Sequence, residues 1–408
     1  MDRKTNLKKH HIGTRSMRLA IFIIFAAIII IADIFLIFDH EKTFSENENR
    51  VLTTAPVFSM DSVTSGKFAE QAEDFTSDQF FLRDAWISLK LFIDRISGKV
   101  ESNGVYLGKE GYLLEVPDEP SEESFTANLD AINAFAGELE GVNIVMTMIP
   151  GAECVCDQLL PNDAPCLDET EIIERIKNAV SGSLKFVDVT DALKAHKYEE
   201  LYYKSDHHWK SLGAKYAFDA MADALDVDAS ETDYEIMTVT ESFSGTLASS
   251  SGASYVKDSI EIYVPVTGSA ASELSEGAGT GEKAMSTTLE YVVEYVQDNK
   301  KSATIYSSAA LDTKDKYEVF LGGNYPLINI KTNIDNSRNL LILKDSYANT
   351  FIQFLLPYYH TITIVDPRYY SDDLYKLIDE NSITDCLILY SENNFVTDNS
   401  LAGVLEAE

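Results

Sequence analysis

The spacing of apolar residues divides the chain into three parts with different patterns. Twenty residues from Leu19 to Phe38 are apolar except for Asp33, and a membrane-spanning helix needs ~20 such residues. Residues 39–104 open with a polar stretch and then repeat apolar residues at three- and four-residue spacing, which predicts a stalk and a helical lead-in. Over residues 105–408, strand-like apolar runs alternate with helical patterns, which predicts one α/β domain.

The charge distribution orients the predicted transmembrane helix. Residues 1–18 carry six basic residues and one acidic residue, whereas the whole chain has a net charge of −33. Basic flanks stay in the cytoplasm, so residues 1–18 are predicted to be cytoplasmic and everything after residue 38 to lie outside. A cleaved signal peptide is the alternative, although its apolar core is shorter and no small-residue cleavage site follows closely. The acidic remainder argues against binding to nucleic acid.

The α/β part contains apolar runs short enough to be buried strands. Strands that alternate with helices predict a parallel sheet covered by helices on both faces. The runs lie at residues 142–150, 184–189, 339–343, 361–366 and 386–391. Between them, residues 228–335 carry short alternating runs that predict a β-rich insertion, with a solvated loop from Gly268 to Ser286.

One strand-to-helix junction carries candidate chemistry. Lys344, Asp345 and Ser346 directly follow the buried run at 339–343, and the carboxyl ends of parallel strands are where α/β proteins build their sites. A serine at this point can act as a nucleophile, and its own N–H at the helix start can stabilise an oxyanion. The alternative is that Asp345 and Ser346 only cap the helix.

A second candidate is the polar run from Ser205 to Trp209, in a chain with seven histidines. Asp206 and His208 have the D-x-H spacing with which a carboxylate can orient a histidine general base. His207 would then point elsewhere, and Trp209 would form an apolar wall. Two alternatives remain open: a metal site made by Asp206, His207 and His208, and a helix capped by Ser205 or Asp206.

Two further groups of residues bear on function. One is the segment of Gly322, Gly323 and Asn324, which follows a strand. Glycine at 323 allows close approach of the backbone, and the Asn324 amide could donate a hydrogen bond to a developing oxyanion. The alternative is that the segment is a plain turn. The cysteines allow a disulfide from Cys154 or Cys156 to Cys166, or a zinc site made by these three. Cys386 lies in an apolar run and is predicted to be a buried thiol.

Several stretches together resemble one family. S-D-H-H-W at 205–209 resembles the signature of the DHHW protein family, which is related to alginate O-acetyltransferases with an SGNH-hydrolase-like domain. Further similar stretches are FSENENRVLTTAP (44–56), FTSDQFFLRDAW (75–86), VYLGKEGYLLE (105–115), IPGAECVCDQLLP (149–161), ESFSGTLASSSG (241–252), KDSYANTFIQFLLPYY (344–359) and IVDPRYY (364–370). The resemblance therefore covers most of the chain after the predicted anchor.

The resemblance implies an SGNH-hydrolase-like, three-layer α/β/α domain with a Ser-His-Asp triad. Its members would be Asp206 and His208 from D-x-H and Ser346 from D-S, with the Asp–His pair before the serine as in these relatives. Lys344 departs from relatives that often have a small residue there, and it could be an outward-facing stem or contact an acidic substrate. Arg368 would either bind substrate or pair with Asp366.

The resulting hypothesis is an extracytoplasmic serine acyl-ester enzyme that needs no cofactor and no metal. It would be an O-acetyltransferase or acetylesterase acting on a cell-surface polysaccharide, with a membrane-bound O-acyltransferase as partner. Transfer rather than hydrolysis is implied by the resemblance alone. The alternatives are a non-catalytic glycan-binding or scaffold protein of the cell envelope, and a metal-dependent hydrolase that uses Asp206 and His208.

Overall fold

The structure is a computed structural model that describes residues 16–31, 34, 42–45, 50–56, 58–162, 164–165, 167–266 and 289–406. It divides into two units, Met1–Ile93 and Asp94–Glu408, whereas the sequence predicted a division at 104/105.

Residues 16–31, in the predicted anchor region, are helical. Among the residues that are described, no helix is long and apolar enough to cross a membrane. Residues 32–33 and 35–38 of the predicted transmembrane helix lie outside the described part, as do residues 1–15. The anchor and the cytoplasmic segment therefore stay predictions.

The elements follow the order that periodicity predicts for the α/β region. The strands are β1 (Phe44–Ser45), β2 (Arg50–Val51), β3 (Val105–Leu107), β4 (Leu113–Glu115), β5 (Asn143–Ile149), β6 (Lys185–Phe186), β7 (Asp233–Phe243), β8 (Asp258–Val266), β9 (Tyr291–Tyr295), β10 (Lys300–Ser302), β11 (Leu327–Thr332), β12 (Asn339–Lys344), β13 (Thr361–Val365) and β14 (Asp385–Ser391). The helices are α1 (Met60–Thr64), α2 (Lys67–Asp78), α3 (Arg83–Ile96), α4 (Glu122–Glu138), α5 (Ala152–Val155), α6 (Glu169–Ala179), α7 (Thr190–Lys194), α8 (Ser211–Leu225), α9 (Thr246–Ser251), α10 (Ala348–Phe351), α11 (Leu374–Asn381), α12 (Glu392–Thr397) and α13 (Ser400–Leu405).

The helix after Ser346 is shorter than its apolar pattern suggests. α10 ends at Phe351, and a 3₁₀ turn follows at Ile352–Phe354. The β-branched residues Thr350 and Ile352 lose rotamer freedom in a helix, and Pro357 cannot continue one. Local propensity therefore limits this segment to one α-helical turn.

The main sheet has eight strands in the order β10-β9-β11-β13-β12-β14-β5-β6. Strands β13, β12, β14, β5 and β6 are parallel, as predicted. Strands β11, β9 and β10 are antiparallel, so the predicted parallel sheet is corrected to a mixed one. The reason is that the segment predicted as an insertion supplies these three edge strands, and β9 returns directly into β10, which only an antiparallel pair permits.

The sheet is covered on both faces. Leu340 and Ile342 of β12 lie in an apolar cluster with Phe218 of α8, whereas Leu341 of the same strand lies in a second cluster with Phe135 of α4. Successive strand residues point to opposite faces, so Leu340 and Ile342 pack in the core on one face of the sheet and Leu341 in the core on the other. The result is an α/β/α arrangement.

The segment at 228–335 also contains a separate hairpin. β7 and β8 pair antiparallel as a two-stranded sheet, and Phe243 and Ile260 from them pack with Tyr203 and Tyr317. The predicted loop from Gly268 to Ser286 lies outside the described residues.

One edge of the sheet collects polar side chains. The parallel strands β5, β12, β13 and β14 all end at this edge, which we call the carboxyl edge, and Asp345, Ser346, Asp366 and Glu392 follow the ends of three of them. Parallel strands bring their carboxyl ends together regardless of separation along the chain.

Two carboxyl groups are buried against each other close to the end of β5. Glu153 and Glu169 share a side-chain hydrogen bond, and Glu169 Oε2 also accepts from the Gly151 N–H at 2.7 Å. Burial raises the pKa of both carboxyls, and the charge of Glu169 raises the pKa of Glu153 further. A hydrogen bond between two carboxyls requires one proton, and the raised pKa values favour keeping that proton on the pair in the folded state.

Glu153→Gln should stabilise the protein at pH 8 and much less at pH 5. A folded pKa above the unfolded value of about 4.3 contributes stability at low pH that is lost as the pH rises through the folded pKa. Glutamine keeps the shape and donates to Glu169 without a proton to lose. We expect the melting temperature at pH 8 to rise by ~2–4 °C. The exposed Glu171→Gln serves as control, and an equal gain at both pH values would contradict the shared proton.

Candidate active site

The stretch around Asp206 forms a tight hairpin turn. Tyr203 N–H donates to the His208 carbonyl at 3.2 Å, and Lys210 N–H donates to the Leu201 carbonyl at 2.7 Å. These two bonds close the loop and leave residues 204–207 at its tip. The turn aims Asp206 and His208 at the same region of the carboxyl edge.

A buried carboxylate, Asp258, fixes the tip of this hairpin. It accepts from the Lys204 N–H at 2.9 Å, from the Ser205 N–H at 2.9 Å and from the Ser205 hydroxyl at 2.5 Å. The alternative that Ser205 or Asp206 caps the next helix is wrong, because α8 starts at Ser211 with Lys210 as its N-cap residue. The side chain of Ser205 is committed to Asp258 instead.

Asp345 positions the serine turn. Its Oδ1 accepts from the Tyr347 N–H at 2.9 Å, and its Oδ2 accepts from the Ser391 N–H at 2.8 Å, the Ser391 hydroxyl at 2.7 Å and Asn394 Nδ2 at 2.8 Å. The side chain is fully buried. Four donors compensate for burying the carboxylate, and they tie the turn that contains Ser346 to the end of β14.

The structure brings the three predicted triad residues together. His208 Nδ1 lies 2.6 Å from Asp206 Oδ1, and His208 Nε2 lies 2.8 Å from Ser346 Oγ. With Nδ1–H donating to the carboxylate, Nε2 is free to accept the serine proton. This is the geometry that a histidine general base needs to activate a serine nucleophile.

Asp206 is held in its charged form by neighbouring donors. Its Oδ2 accepts from the Thr246 N–H at 2.8 Å and from the Thr246 hydroxyl at 3.0 Å, while Oδ1 also accepts from the His208 N–H at 3.1 Å. Burial by itself would raise the pKa of this carboxyl. The two histidines and these hydrogen bonds outweigh burial and hold the pKa well below its usual range.

His208 is a neutral imidazole at physiological pH. Burial, followed by the charge of His207, lowers the pKa of His208 from 6.5 to about 4, although Asp206 acts in the opposite direction. The ring of Tyr317 stacks on the imidazole at 3.9 Å between centroids. A neutral ring is the form that can accept a proton from Ser346.

Aromatic residues frame the triad on its buried side. Tyr317 OH donates to the Ser346 carbonyl at 3.0 Å and accepts from the Thr350 hydroxyl at 2.8 Å. Trp209 is fully buried, and its Nε1–H donates to the Tyr347 carbonyl at 2.9 Å. The apolar wall predicted at Trp209 therefore lies within the core, where its ring supports the serine turn.

His207 flanks the triad, with its ring centroid 4.0 Å from that of His208. Its Nδ1 lies 2.8 Å from the Thr246 hydroxyl, and its side chain is 24% exposed. Among the described residues, ligand atoms of Asp206, His207 and His208 lie within 4.8 Å of one another, so this set could hold a metal ion. An ion bound through His208 Nδ1 would have to displace the hydrogen bond to Asp206.

The predicted oxyanion segment lies beside the serine turn. Gly323 has a φ of +115°, a backbone conformation that favours glycine. Asn324 Oδ1 accepts from Lys344 Nζ at 3.1 Å and from Asn349 Nδ2 at 3.0 Å. Asn349 N–H in turn donates to the Ser346 carbonyl at 3.2 Å. Asn349 therefore links Asn324 to the turn that contains Ser346.

Lys344 and Arg368 both pair with Asp366. Lys344 Nζ lies 3.1 Å from Asp366 Oδ2 and the lysine is fully buried, so neither an outward-facing stem nor direct contact with a substrate describes it. Arg368 binds Asp366 through two nitrogens, at 2.8 and 2.7 Å. The structural pairing that the sequence offered for Arg368 is thus present, while its role in substrate binding stays a prediction.

The structure describes three of the four cysteines. Cys386 is a buried thiol, as predicted, with 1% of its surface exposed. Cys154 and Cys156 form no disulfide with each other or with Cys386. Cys166 lies outside the described residues, so the predicted pairing stays a prediction, as does the zinc alternative.

Sequence reasoning assigned no role to Thr246, Gly245 or Asp258, which hold the Asp206 hairpin. Thr246 and Gly245 lie within ESFSGTLASSSG, a stretch singled out only for its resemblance. A Cβ on Gly245 would come within 2.2 Å of Asp206 Oδ2 and 2.3 Å of Asp206 Cβ. For Gly245 and Thr246, the signal that could have found them was the S-G-T sequence at a helix start, where N–H groups favour a carboxylate.

Comparison with known proteins identifies a similar domain and similar folds. The family model for the SGNH hydrolase-like domain of acetyltransferase AlgX matches residues 105–280. No curated protein sequence gives a significant match to the chain. A DHHW family protein from Eubacterium siraeum superposes with a TM-score of 0.59 and 23% identity, over 74% of this chain and 95% of that chain. Bacillus cereus PatB1, solved with a sulfonyl adduct, superposes with a TM-score of 0.56 and 19% identity, over 74% and 99%.

These similarities confirm the predicted resemblance to the DHHW and AlgX-type proteins. At 23% and 19% identity, the two structures establish the fold alone.

Activity should persist to lower pH than an ordinary histidine allows. The triad requires neutral His208, so the rate falls as the pH drops through its pKa of about 4. We expect kcat/KM for an acetyl ester to keep more than half of its plateau value at pH 5, where a histidine with a pKa of ~6.5 would be almost entirely protonated. His207→Gln should move this acid limb to higher pH, because the charge of His207 lowers the His208 pKa. An acid limb near pH 6.5 in the unaltered protein would contradict the assignment.

Gly245→Ala should disable the site without unfolding the domain. The added methyl group has no space beside Asp206, so the carboxylate must shift away from His208. We expect kcat to fall by about 10²-fold or more, the size of effect seen when a triad base is poorly oriented. The measurement is ester turnover together with a thermal unfolding curve. Gly137→Ala, where a Cβ meets nothing within 4 Å, is the matched control and should leave turnover unchanged.

Proposed function

We propose that this chain, whose residues 105–280 match the SGNH hydrolase-like domain of acetyltransferase AlgX, is a serine acyl-ester enzyme that acts on a polysaccharide. The observation that carries the proposal is the hydrogen-bonded series from Ser346 through His208 to Asp206. Ser346 and His208 are 138 residues apart in the sequence. Such an arrangement of a serine, a neutral histidine and a charged aspartate has a direct chemical use in acyl transfer.

The first half of the reaction forms an acyl-serine. Ser346 Oγ attacks the carbonyl carbon of an acyl ester while His208 Nε2 takes the hydroxyl proton, and Asp206 stabilises the imidazolium. The negative charge on the tetrahedral oxygen falls to N–H donors: the Ser346 N–H, which donates to no protein atom within the described residues, and the Asn324 amide. The C–O bond to the donor alcohol then breaks, and His208 returns the proton to the leaving oxygen.

The second half transfers the acyl group. A hydroxyl of the acceptor gives its proton to His208 while its oxygen attacks the carbonyl carbon of the acyl-serine. The bond from that carbon to Ser346 Oγ then breaks, His208 passes the proton to Ser346 Oγ, and the acceptor keeps the acyl group as a new ester. Water in place of the sugar hydroxyl would give hydrolysis. We assign an acetyl group and a cell-surface polysaccharide, supported by the match to an acetyltransferase domain and by the predicted N-terminal anchor. A membrane-bound O-acyltransferase that supplies acetyl groups from inside the cell is the proposed partner.

A metal-dependent hydrolase is the second candidate. It is favoured by one observation, the proximity of ligand atoms from Asp206, His207 and His208. In that case Ser346 would be dispensable and a chelator would abolish activity.

Ser346→Ala in the full-length protein should lower turnover of a chromogenic acetyl ester by about 10³-fold or more. It should also abolish mass labelling by a sulfonyl fluoride, a reagent suggested by the adduct on PatB1. Ser251→Ala is the matched control, since it removes a buried hydroxyl that donates to the Leu247 carbonyl. Adding glycan acceptors should shift the product from acetate to acetylated sugar.

Each alternative gives a different result in the same assay. Equal labelling after Ser346→Ala would show that Ser346 is not the nucleophile. Activity that is lost with a chelator but kept by Ser346→Ala would support the metal-dependent candidate. Specific glycan binding without any turnover or labelling of the unaltered protein would indicate a non-catalytic role.

A further inference from the structure

A fully buried lysine lies two residues before the nucleophile. The Lys344 ammonium has two side-chain partners, Asp366 Oδ2 and Asn324 Oδ1, both at 3.1 Å. Burial is the largest effect on this lysine and lowers its pKa, while the charge of Asp366 opposes the shift. Burying an ammonium is costly unless it is paired. A neutral side chain would avoid this cost, so its presence calls for a functional explanation.

The contact with Asn324 determines how that amide is oriented. An ammonium can only donate hydrogen bonds, and an asparagine amide has one accepting oxygen and one donating nitrogen. Asn324 Oδ1 receives two donors, Lys344 Nζ at 3.1 Å and Asn349 Nδ2 at 3.0 Å. A flipped amide would set its NH₂ group against both donors. The pair therefore fixes Oδ1 inward and leaves Nδ2 pointing away from Lys344.

Asn324 is connected to the segment that follows the serine through Asn349, whose Nδ2 donates to Asn324 Oδ1. Asn324 is exposed, in contrast to the buried Lys344 and Asn349 that hold its oxygen. Asn349 also donates its backbone N–H to the Ser346 carbonyl at 3.2 Å. The amide of Asn324 is thus attached to the same short segment that carries the nucleophile.

We propose that Lys344 is a positioning residue that holds the Asn324 amide with its Nδ2–H donors directed at the developing oxyanion. The inference rests on the proposed function, since it assigns Asn324 as an oxyanion donor for Ser346. Lys344 itself touches neither substrate nor the reacting atoms. Lys344 therefore affects the rate only by orienting the Asn324 amide, whose N–H donors stabilise the negative charge that develops in the transition state.

The counter-ion arrangement makes this assignment testable. Asp366 binds Arg368 through two nitrogens as well as Lys344, so replacing Lys344 leaves Asp366 paired. Lys344→Met keeps an unbranched side chain of similar length and removes only the ammonium. The variant therefore releases Asn324 Oδ1 from one of its two donors without leaving a buried charge unpaired.

Lys344→Met in the full-length protein should lower kcat for a chromogenic acetyl ester by about 10- to 100-fold, with KM changed by less than about twofold. Asn324→Ala should lower kcat by at least as much. The double variant should be no slower than Asn324→Ala alone, because the lysine has no route to the oxyanion once the amide is gone. A purely structural lysine would give losses that multiply.

Arg338→Met is the matched control for lost stability. Arg338 directly precedes β12, the strand that Lys344 ends, and it pairs with Asp385 at the opposite edge of the sheet. This variant should lower the melting temperature and leave kcat of the folded protein unchanged. Should Lys344→Met fail to fold, Asn349→Ala removes the other donor to Asn324 Oδ1. Asn349→Ala should also lower kcat, and it should lower kcat no further when it is combined with Asn324→Ala.

The outcomes separate this inference from the proposed function. Multiplying losses, or an unchanged kcat in Lys344→Met, would overturn the positioning role while Ser346→Ala remains inactive. Full activity of Ser346→Ala would instead overturn the proposed function. If Lys344→Met lowers kcat by itself but not further in combination with Asn324→Ala, the result supports both the positioning role and the proposed function.

Discussion

The 2.8 Å hydrogen bond between His208 Nε2 and Ser346 Oγ joins the Leu201–Lys210 hairpin to the turn that follows β12. Each is held by a carboxylate buried in the protein: Asp258 accepts three hydrogen bonds from the hairpin, and Asp345 accepts four around the serine turn. Hydrogen bonds to a charged acceptor are stronger than neutral ones. The relative placement of nucleophile and base is therefore fixed by electrostatics on both sides.

The same constraint explains why the site tolerates so many buried charges. A buried carboxylate is stable only when its oxygens receive several donors, and at Asp206 the N–H groups of Thr246 and His208 supply part of these. Backbone donors cannot rotate away as side chains can. The cost is a strict demand on shape: Gly245 has no room for a side chain, because Asp206 occupies that space.

The sequence predicted features that repeat over short distances and missed those that depend on long-range contact. The strand runs and the D-x-H and D-S patterns are local, so β12, β14 and the triad residues could be named in advance. Strand direction is different, because alternation of apolar residues is the same in parallel and antiparallel strands, and β9 to β11 were not recognised as part of the main sheet. The anchoring role of Asp258 depends on a contact across 53 residues. The sequence indicated the burial of Lys344 only weakly. Lys344 is two residues beyond Ile342 and four beyond Leu340, so its side chain points to the same buried face of the strand.

Under the proposed function, the low pKa of His208 has a consequence for how catalysis is shared among the residues. A general base is most effective when its pKa lies near the working pH, and burial places His208 at about 4, where it is always available but weakly basic. Proton removal from Ser346 is then correspondingly harder, so more of the barrier must be lowered where negative charge accumulates on the substrate oxygen. In the proposed mechanism that requirement falls on the Ser346 N–H and the Asn324 amide. An amide that rotated freely would present its oxygen as often as its nitrogen, and the oxygen would repel the charge. A fixed cation behind Asn324 removes that orientation, which is why a lysine buried at some cost is consistent with a site whose base is weak.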